Sequence, residues 1–265
     1  MKRGVKEFVS LKALRHLLYI PIIILQIQNW FSFLLNYIGF RDSTETYIFR
    51  NGPKIKTIGG IDAVTIAVVF IKKAYGDVDD NSTVIDIGAN IGVYSIFAAT
   101  TSKHTTIYAY EPMLSNFNVL LENIRINKLE KFISPVPSGV CARREKRKLY
   151  FSTANSPFAS LYFKYTKYIE IDCVSLKDIF GENKIRFCDI LKLDCEGAEF
   201  EILYNTPNEY LGKIKEIRLE YHNQTINKNY NIKTLVSFLN ERGFRTAKLL
   251  KESEDLGNVW LKKFQ

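Results

Sequence analysis

The chain has 265 residues, 46% of them hydrophobic, which is enough to bury a full core and excludes a disordered or low-complexity polypeptide. Its formal charge of +9 points to an anionic neighbour, and composition alone does not choose among a phospholipid surface, an acidic glycan and nucleic acid. Four cysteines, at 141, 173, 188 and 195, form no C-x-x-C pair and no zinc-type spacing with His16, His104 and His222, so a reduced, cytoplasmic protein with structural cysteines is expected.

The first sixteen residues carry Lys2, Arg3, Lys6, Lys12 and Arg15 against one acid, Glu7, and residues 17–40 then run without a charge. As a single helix that apolar stretch would reach about 36 Å, long enough for a bilayer. However, Pro21 interrupts its start, and Gln28, Asn29, Ser32 and Asn36 recur at helical spacing as a polar stripe. A stripe of this kind favours lying in an interface, or packing on the domain, over crossing lipid. The basic flank would also stay in the cytoplasm, so a spanning helix would carry the rest of the chain away from cytoplasmic cofactors. The segment is too long for a signal peptide and lacks a convincing small-residue cleavage site. Residues 1–43 therefore read as a basic, apolar helical appendage, with residues 1–40 a candidate contact for the inner face of an anionic membrane. Residues 44–265 read as one α/β domain.

Within that domain, residues 44–59 predict short strands around an Asn51-Gly52-Pro53 turn, and 61–75 an apolar helix. Strand 83–87, helix 92–102, strand 106–110, helix 114–127 and strand 131–136 then alternate, which implies a parallel sheet with helices on both faces. An irregular, strand-rich stretch follows, with candidate strands 148–151 and 168–174 around Ala154-Asn155-Ser156-Pro157. Alternation resumes with strand 187–193, helix 198–204, strand 214–221 and helix 231–242. Strands 244–250 and 259–264, joined by the turn-rich 254–258, predict a closing antiparallel hairpin, which a symmetric dinucleotide fold would not have.

The most informative stretch is Thr83-Val84-Ile85-Asp86-Ile87-Gly88-Ala89-Asn90-Ile91-Gly92, an apolar strand that ends in a glycine turn and opens into a helix. Glycines there let backbone approach a nucleotide, and Glu111, ending the next strand, stands where a ribose would present its hydroxyls. The spacing is not G-x-G-x-x-G. Asp86 would repel a pyrophosphate but suit the ammonium of an amino acid, which favours S-adenosylmethionine over NAD; a tight turn without a ligand is the bland alternative.

Asp194, Glu196 and Glu199 place three carboxylates at a strand end and the first turn of the next helix. Crowded like charges raise one another's pKa toward the range of a general base, although acids in a helix's first turn also complement its dipole. His222, ending the neighbouring strand behind Glu220, is a candidate base in the same cleft. No spacing demands a metal, and no metal ligands are assigned. The run Arg143, Arg144, Lys146, Arg147, Lys148 reads either as a solvated hairpin or as a clamp for an anionic acceptor or headgroup. Tyr150, Phe151, Phe158, Tyr162, Phe163 and Tyr165 near it suit sugar stacking or an ordinary apolar hairpin.

The glycine motif, Tyr110-Glu111-Pro112 and the block Ile190-Leu191-Lys192-Leu193-Asp194-Cys195-Glu196-Gly197-Ala198-Glu199-Phe200-Glu201-Ile202-Leu203 together resemble FkbM-type methyltransferases, over roughly residue 47 to the C-terminus. Cys195 stands where an aliphatic is usual. The resemblance implies a class I, Rossmann-like methyltransferase fold using S-adenosylmethionine, with a sugar or polyketide hydroxyl as acceptor. It implies that Asp86, Gly88, Asn90, Gly92, Glu111 and Ser138 line the cofactor, with Ser138 near adenine, and that Asp194, Glu196, Glu199 and His222 serve catalysis. The expected activity is O-methylation of a sugar in a glycan or glycolipid. An RNA methyltransferase, prompted by the net charge, lacks a recognisable RNA-binding module. A non-catalytic membrane-associated scaffold would have lost the cofactor residues, all of which are present.

Overall fold

The computed structural model describes residues 18–151, 160–161, 167–223, 227 and 229–264, and the chain divides into two compact units, residues 1–73 and 74–265. This boundary falls later than the predicted division after residue 43, for a reason visible inside the first unit. Its apolar stretch is two short helices, α1 (Ile20–Gln26) and α2 (Trp30–Tyr37), rather than one. Between them Ile27 leaves the helix and pairs with Phe49, beside the hairpin of β1 (Thr46–Ile48) and β2 (Lys54–Lys56).

The polar stripe turns onto that hairpin. Asn29 donates to the Thr46 carbonyl at 3.0 Å and accepts from the Ile48 amide at 3.1 Å, Ser32 bonds Glu45, and Asn36 bonds Tyr47. Buried amides need such partners, so the stripe welds the appendage to residues 44–58. Helix α3 (Ile61–Ile66) completes the unit and continues through a π-helical turn, Ala67–Ile71. No helix among the described residues is long and apolar enough to cross a membrane.

The second unit is built on a seven-stranded sheet. In chain order its strands are β3 (Thr83–Ile87), β4 (Thr106–Tyr110), β5 (Ile133–Val136), β9 (Cys188–Leu193), β10 (Ile214–His222), β11 (Phe244–Lys251) and β12 (Leu256–Lys263). They lie side by side as β11-β12-β10-β9-β3-β4-β5, with β12 antiparallel to both its neighbours and the other pairings parallel. The predicted parallel sheet with a closing antiparallel hairpin is therefore what the chain forms. The intervening helices are α4 (Val93–Thr101), α5 (Leu114–Ile126), α6 (Leu176–Glu182), α7 (Glu199–Asn205), α8 (Asn208–Leu211) and α9 (Ile232–Asn240). A second sheet of three strands, β6 (Gly139–Val140), β7 (Glu145–Phe151) and β8 (Lys167–Val174), accounts for the irregular stretch.

Helix α6 was not predicted, although its signal is in the chain: Ser175 and Asp178 form a reciprocal capping box at its start. Its length of 7 residues is short for a periodicity reading.

Strands β3 and β9 meet at the middle of the sheet, where the order of connections reverses, the place beyond whose carboxyl ends open α/β sheets bind ligands. Their residues are buried and mostly aliphatic, as in parallel sheets covered on both faces, so the charged exceptions require partners. Asp86 and Lys192 are register partners, and the Lys192 ammonium sits 3.0 Å from Asp86 Oδ1 with both side chains out of water. Removing one member leaves the other charged and buried, which typically costs about 3–5 kcal/mol. Lys192→Met should therefore destabilise the fold by about that much in chemical denaturation, and Asp86→Asn added to it should recover most of the loss.

Candidate active site

The glycine turn is shaped by the chain itself. Gly88 has φ +73°, and a Cβ there would stand 1.9 Å from the Asp194 carbonyl oxygen. Gly92, with φ +87°, starts α4, and a Cβ there would meet Leu120 at 2.4 Å. The missing side chains thus let the β3 turn close against the end of β9 and against α5. The ammonium that meets Asp86 is likewise the chain's own: Lys192 occupies one carboxylate oxygen and the Ser95 hydroxyl donates to the other at 2.7 Å. This corrects the expectation that Asp86 contacts a ligand's ammonium, since the residue is fully buried.

Glu111 stands at the end of β4 as predicted. Its two oxygens accept from the amides of Asn90 and Met113, each at 2.8 Å. Asn90 is held in the left-handed region at φ 51° with that amide aimed at the carboxylate. Burial pushes the Glu111 carboxyl up to about 7, against the two amides and Lys192, which pull it down. Ser138 lies on the same side, past β5, with its hydroxyl on the carbonyls of Gly139 and Asp172.

The acid block at the end of β9 converges with the end of β10. Tyr75 donates its hydroxyl between Asp194 Oδ2, at 2.9 Å, and Glu220 Oε2, at 3.1 Å. His222 lies between three carboxylates, with Nδ1 3.4 Å from Glu199 and Nε2 3.6 Å from Glu196 and 3.8 Å from Glu220. Burial alone would lower the imidazole, but Glu199, Glu196 and Asp194 outweigh it and raise His222 to about 10. At neutral pH this is an imidazolium, which has no lone pair to accept a proton. The expectation of a His222 base is corrected: the residue supplies positive charge.

Glu199 is also reassigned. It is fully buried, and it accepts from the Cys195 amide at 2.9 Å and faces His222, so it orders the turn and the imidazolium rather than reaching an acceptor. Glu196, like Asp194 and Glu220 and unlike Glu199, is only partly buried. Burial raises its carboxyl to about 7, helped by Asp194 and Glu199 and opposed by His222. It also sits at φ 53°, a conformation that costs a non-glycine residue about 1–2 kcal/mol and is held by the Ser160 hydroxyl on its carbonyl at 2.5 Å. Desolvation and the neighbouring Glu199 and Asp194 push the Cys195 thiol well up, which argues against its acting as a nucleophile.

Asp194, Glu220 and His222 present donor atoms within 4.8 Å of one another, as do Cys141, Glu145 and Glu201. In the first group the Tyr75 hydroxyl already bridges the two carboxylates, and in the second Arg147 lies 3.1 Å from Glu145 and 3.2 Å from Glu201. The chain's own donors take up both sets.

The basic run belongs to β7 and its approach, and four of its five charges are matched by acids. Arg143 pairs with Glu145, Arg144 with Glu182, Lys146 with Asp172, and Arg147 with Glu145 and Glu201, while Lys148 lies 4.2 Å over the Tyr168 ring. Tyr150 packs on Tyr168 at 5.8 Å and pairs through its backbone with Ser160, which ties this aromatic edge to Glu196. The predicted aromatics Phe158, Tyr162, Phe163 and Tyr165 lie outside the described residues.

Lys192, Tyr75 and Ser95 received no role from the sequence. Lys192 carried a readable signal, a lysine inside an apolar strand of a buried sheet. Tyr75 carried none, because it reaches Asp194 across 119 residues of chain.

A model of the methyltransferase FkbM domain matches residues 86–246. The chain belongs to the FkbM methyltransferase family. Methyltransferase 1 of Beauveria bassiana (strain ARSEF 2860) is 24% identical over 202 residues, covering 68% of this chain and 79% of that protein. Methyltransferase sdnD of Sordaria araneosa is 22% identical over 185 residues, covering 57% and 71%. The crystal structure of the methyltransferase FkbM from Methylobacillus flagellatus KT superposes with a TM-score of 0.52 at 15% identity, over 74% of this chain, and the chain spans 47% of that longer one. The shared fold is the class I, Rossmann-like methyltransferase architecture expected from the strand order.

The site predicts a pH profile. A carboxyl of raised pKa stays protonated in acid, so with Glu196 in the role of base proposed below kcat/KM for methyl transfer should rise through about pH 7 as it ionises, with His222 still charged. Because the imidazolium lowers the Glu196 pKa, His222→Ala should move this rise to higher pH. A rise that stays at the same pH would separate Glu196 from His222.

Proposed function

We propose that this methyltransferase moves a methyl group from S-adenosylmethionine to a hydroxyl of a sugar unit in a glycan or glycolipid, with Glu196 as the proton acceptor. The observation that carries the reading is the set of four carboxylates, Asp194, Glu196, Glu199 and Glu220, gathered about His222 and Tyr75 at the strand ends. S-adenosylmethionine supplies an electrophilic methyl on a sulfonium, and the carbon–sulfur bond breaks with its electron pair left on sulfur as the carbon–oxygen bond forms. The acceptor oxygen must lose a proton in the same process, so an oxygen nucleophile needs a nearby base.

The residues present suit the methyl donor. Each Glu111 oxygen uses one lone pair on an amide and keeps the other for a vicinal diol. Helix α4 begins at Gly92 without a side-chain cap, which leaves its first amides for a carboxylate. Lys192 holds the Gly88 carbonyl at 2.8 Å and fixes the turn between these two contacts. On the acceptor side Glu196 takes the proton, and Tyr75 and His222 keep Asp194, Glu220 and Glu199 in place around it. The Tyr150–Tyr168 edge offers ring faces of the kind that stack on sugars, and it is tied to Glu196 through Ser160. The matched charges of the basic run leave less cationic surface for RNA than the formal charge implied.

Calorimetry should show S-adenosylmethionine binding, weakened by Glu111→Ala by about 1.5–3 kcal/mol, the range for hydrogen bonds to a charged group. Glu196→Gln should leave that affinity intact and lower turnover by about 10²-fold or more. Label from S-adenosylmethionine should enter the lipid or polysaccharide fraction of a cell extract, and label confined to RNA would overturn the acceptor class.

A further inference from the structure

Residues 18–40 expose large apolar side chains, where a water-exposed amphipathic helix would show polar ones. Leu18, Leu25, Phe31 and Phe40 are 74%, 73%, 63% and 84% exposed, with Ile22 and Ile38 beside them, while Asn29, Ser32 and Asn36 of the same helices turn inward onto the hairpin. The same segment buries Ile23, Ile27, Phe33 and Tyr37 on its inner side, so it is packed on the hairpin and still presents a second set of large apolar side chains outward. Monomeric proteins rarely expose contiguous apolar surface of this kind without a partner for it.

Charge selects the partner. Residues 18–40 contain no ionisable acid or base of the Asp, Glu, Lys, Arg or His type, and the preceding sixteen carry five cations against one acid. Two copies meeting through this face would bring two such basic segments together, whereas an anionic bilayer attracts them. Depth follows from length. The helices have 7 and 8 residues, so each extends roughly 10–12 Å, against about 30 Å of hydrocarbon.

We propose that the apolar face of residues 18–40 lies in the headgroup boundary of an anionic membrane, parallel to its surface, with the basic residues of the preceding segment on the lipid headgroups. This rests on the first unit alone and stands or falls independently of the acceptor assignment.

Flotation of the full-length protein with vesicles tests it. The protein should rise with vesicles containing phosphatidylserine, far less with phosphatidylcholine alone, and less at high salt. Replacing Leu18, Leu25 and Phe31 together by Ser should weaken binding at least tenfold while melting temperature and S-adenosylmethionine binding stay unchanged. Undiminished flotation of that variant, or no flotation of the wild type, would overturn the proposal. So would a dimer that the same substitutions dissociate, which would make the face an interface between copies, or a fall in melting temperature, which would mean that the chain covers the face itself.

Discussion

The second unit is organised around one buried ion pair. Asp86 and Lys192 face each other across the central strands with almost no access to water, and neither is stable there without the other. Lys192 spends its remaining reach on the Gly88 carbonyl, at 2.8 Å, and approaches Asp194 at 3.9 Å. One ammonium therefore sets the distance between the glycine turn and the acid block. The closeness it enforces is visible in Gly88, where a single added carbon would overlap the Asp194 carbonyl.

Around that pair the chain solves a second problem of charge. Four carboxylates are held together at the ends of β9 and β10, a repulsive arrangement in a partly dehydrated crevice. Tyr75 places its single hydroxyl proton between two of them, and His222 meets three with one positive ring. The acids make the imidazolium persist, and the imidazolium in turn keeps the Glu196 carboxyl from rising further. A carboxyl that ionises near neutrality is a product of this balance, not of any one residue.

Much of the fold was legible because its signals are local. Strands 83–87 and 106–110 were placed at the observed bounds, since a continuous aliphatic run ending in a glycine turn or an acid needs only a few neighbours to be read. Helix α6, strand β6 and the break at Ile27 were missed: each is a short element, or one stabilised by a partner far along the chain. The polar stripe was found but its direction was not. Periodicity reports that a face differs from its opposite; it does not report which of the two the hairpin covers.

The sequence by itself determined the alternation of the main strands and helices, the switch point at the central strands, and the place of Glu111 and the acid block at the strand ends beside it. These follow from strand ends and turns, which lie within a few residues of the motifs that announce them. Tertiary structure alone decided which charge neutralises which: Lys192 rather than a ligand on Asp86, Tyr75 on Asp194 and Glu220, and a protonated His222 among the acids. Protonation and pairing depend on burial and on groups that meet only after the chain has folded, and no local pattern encodes either.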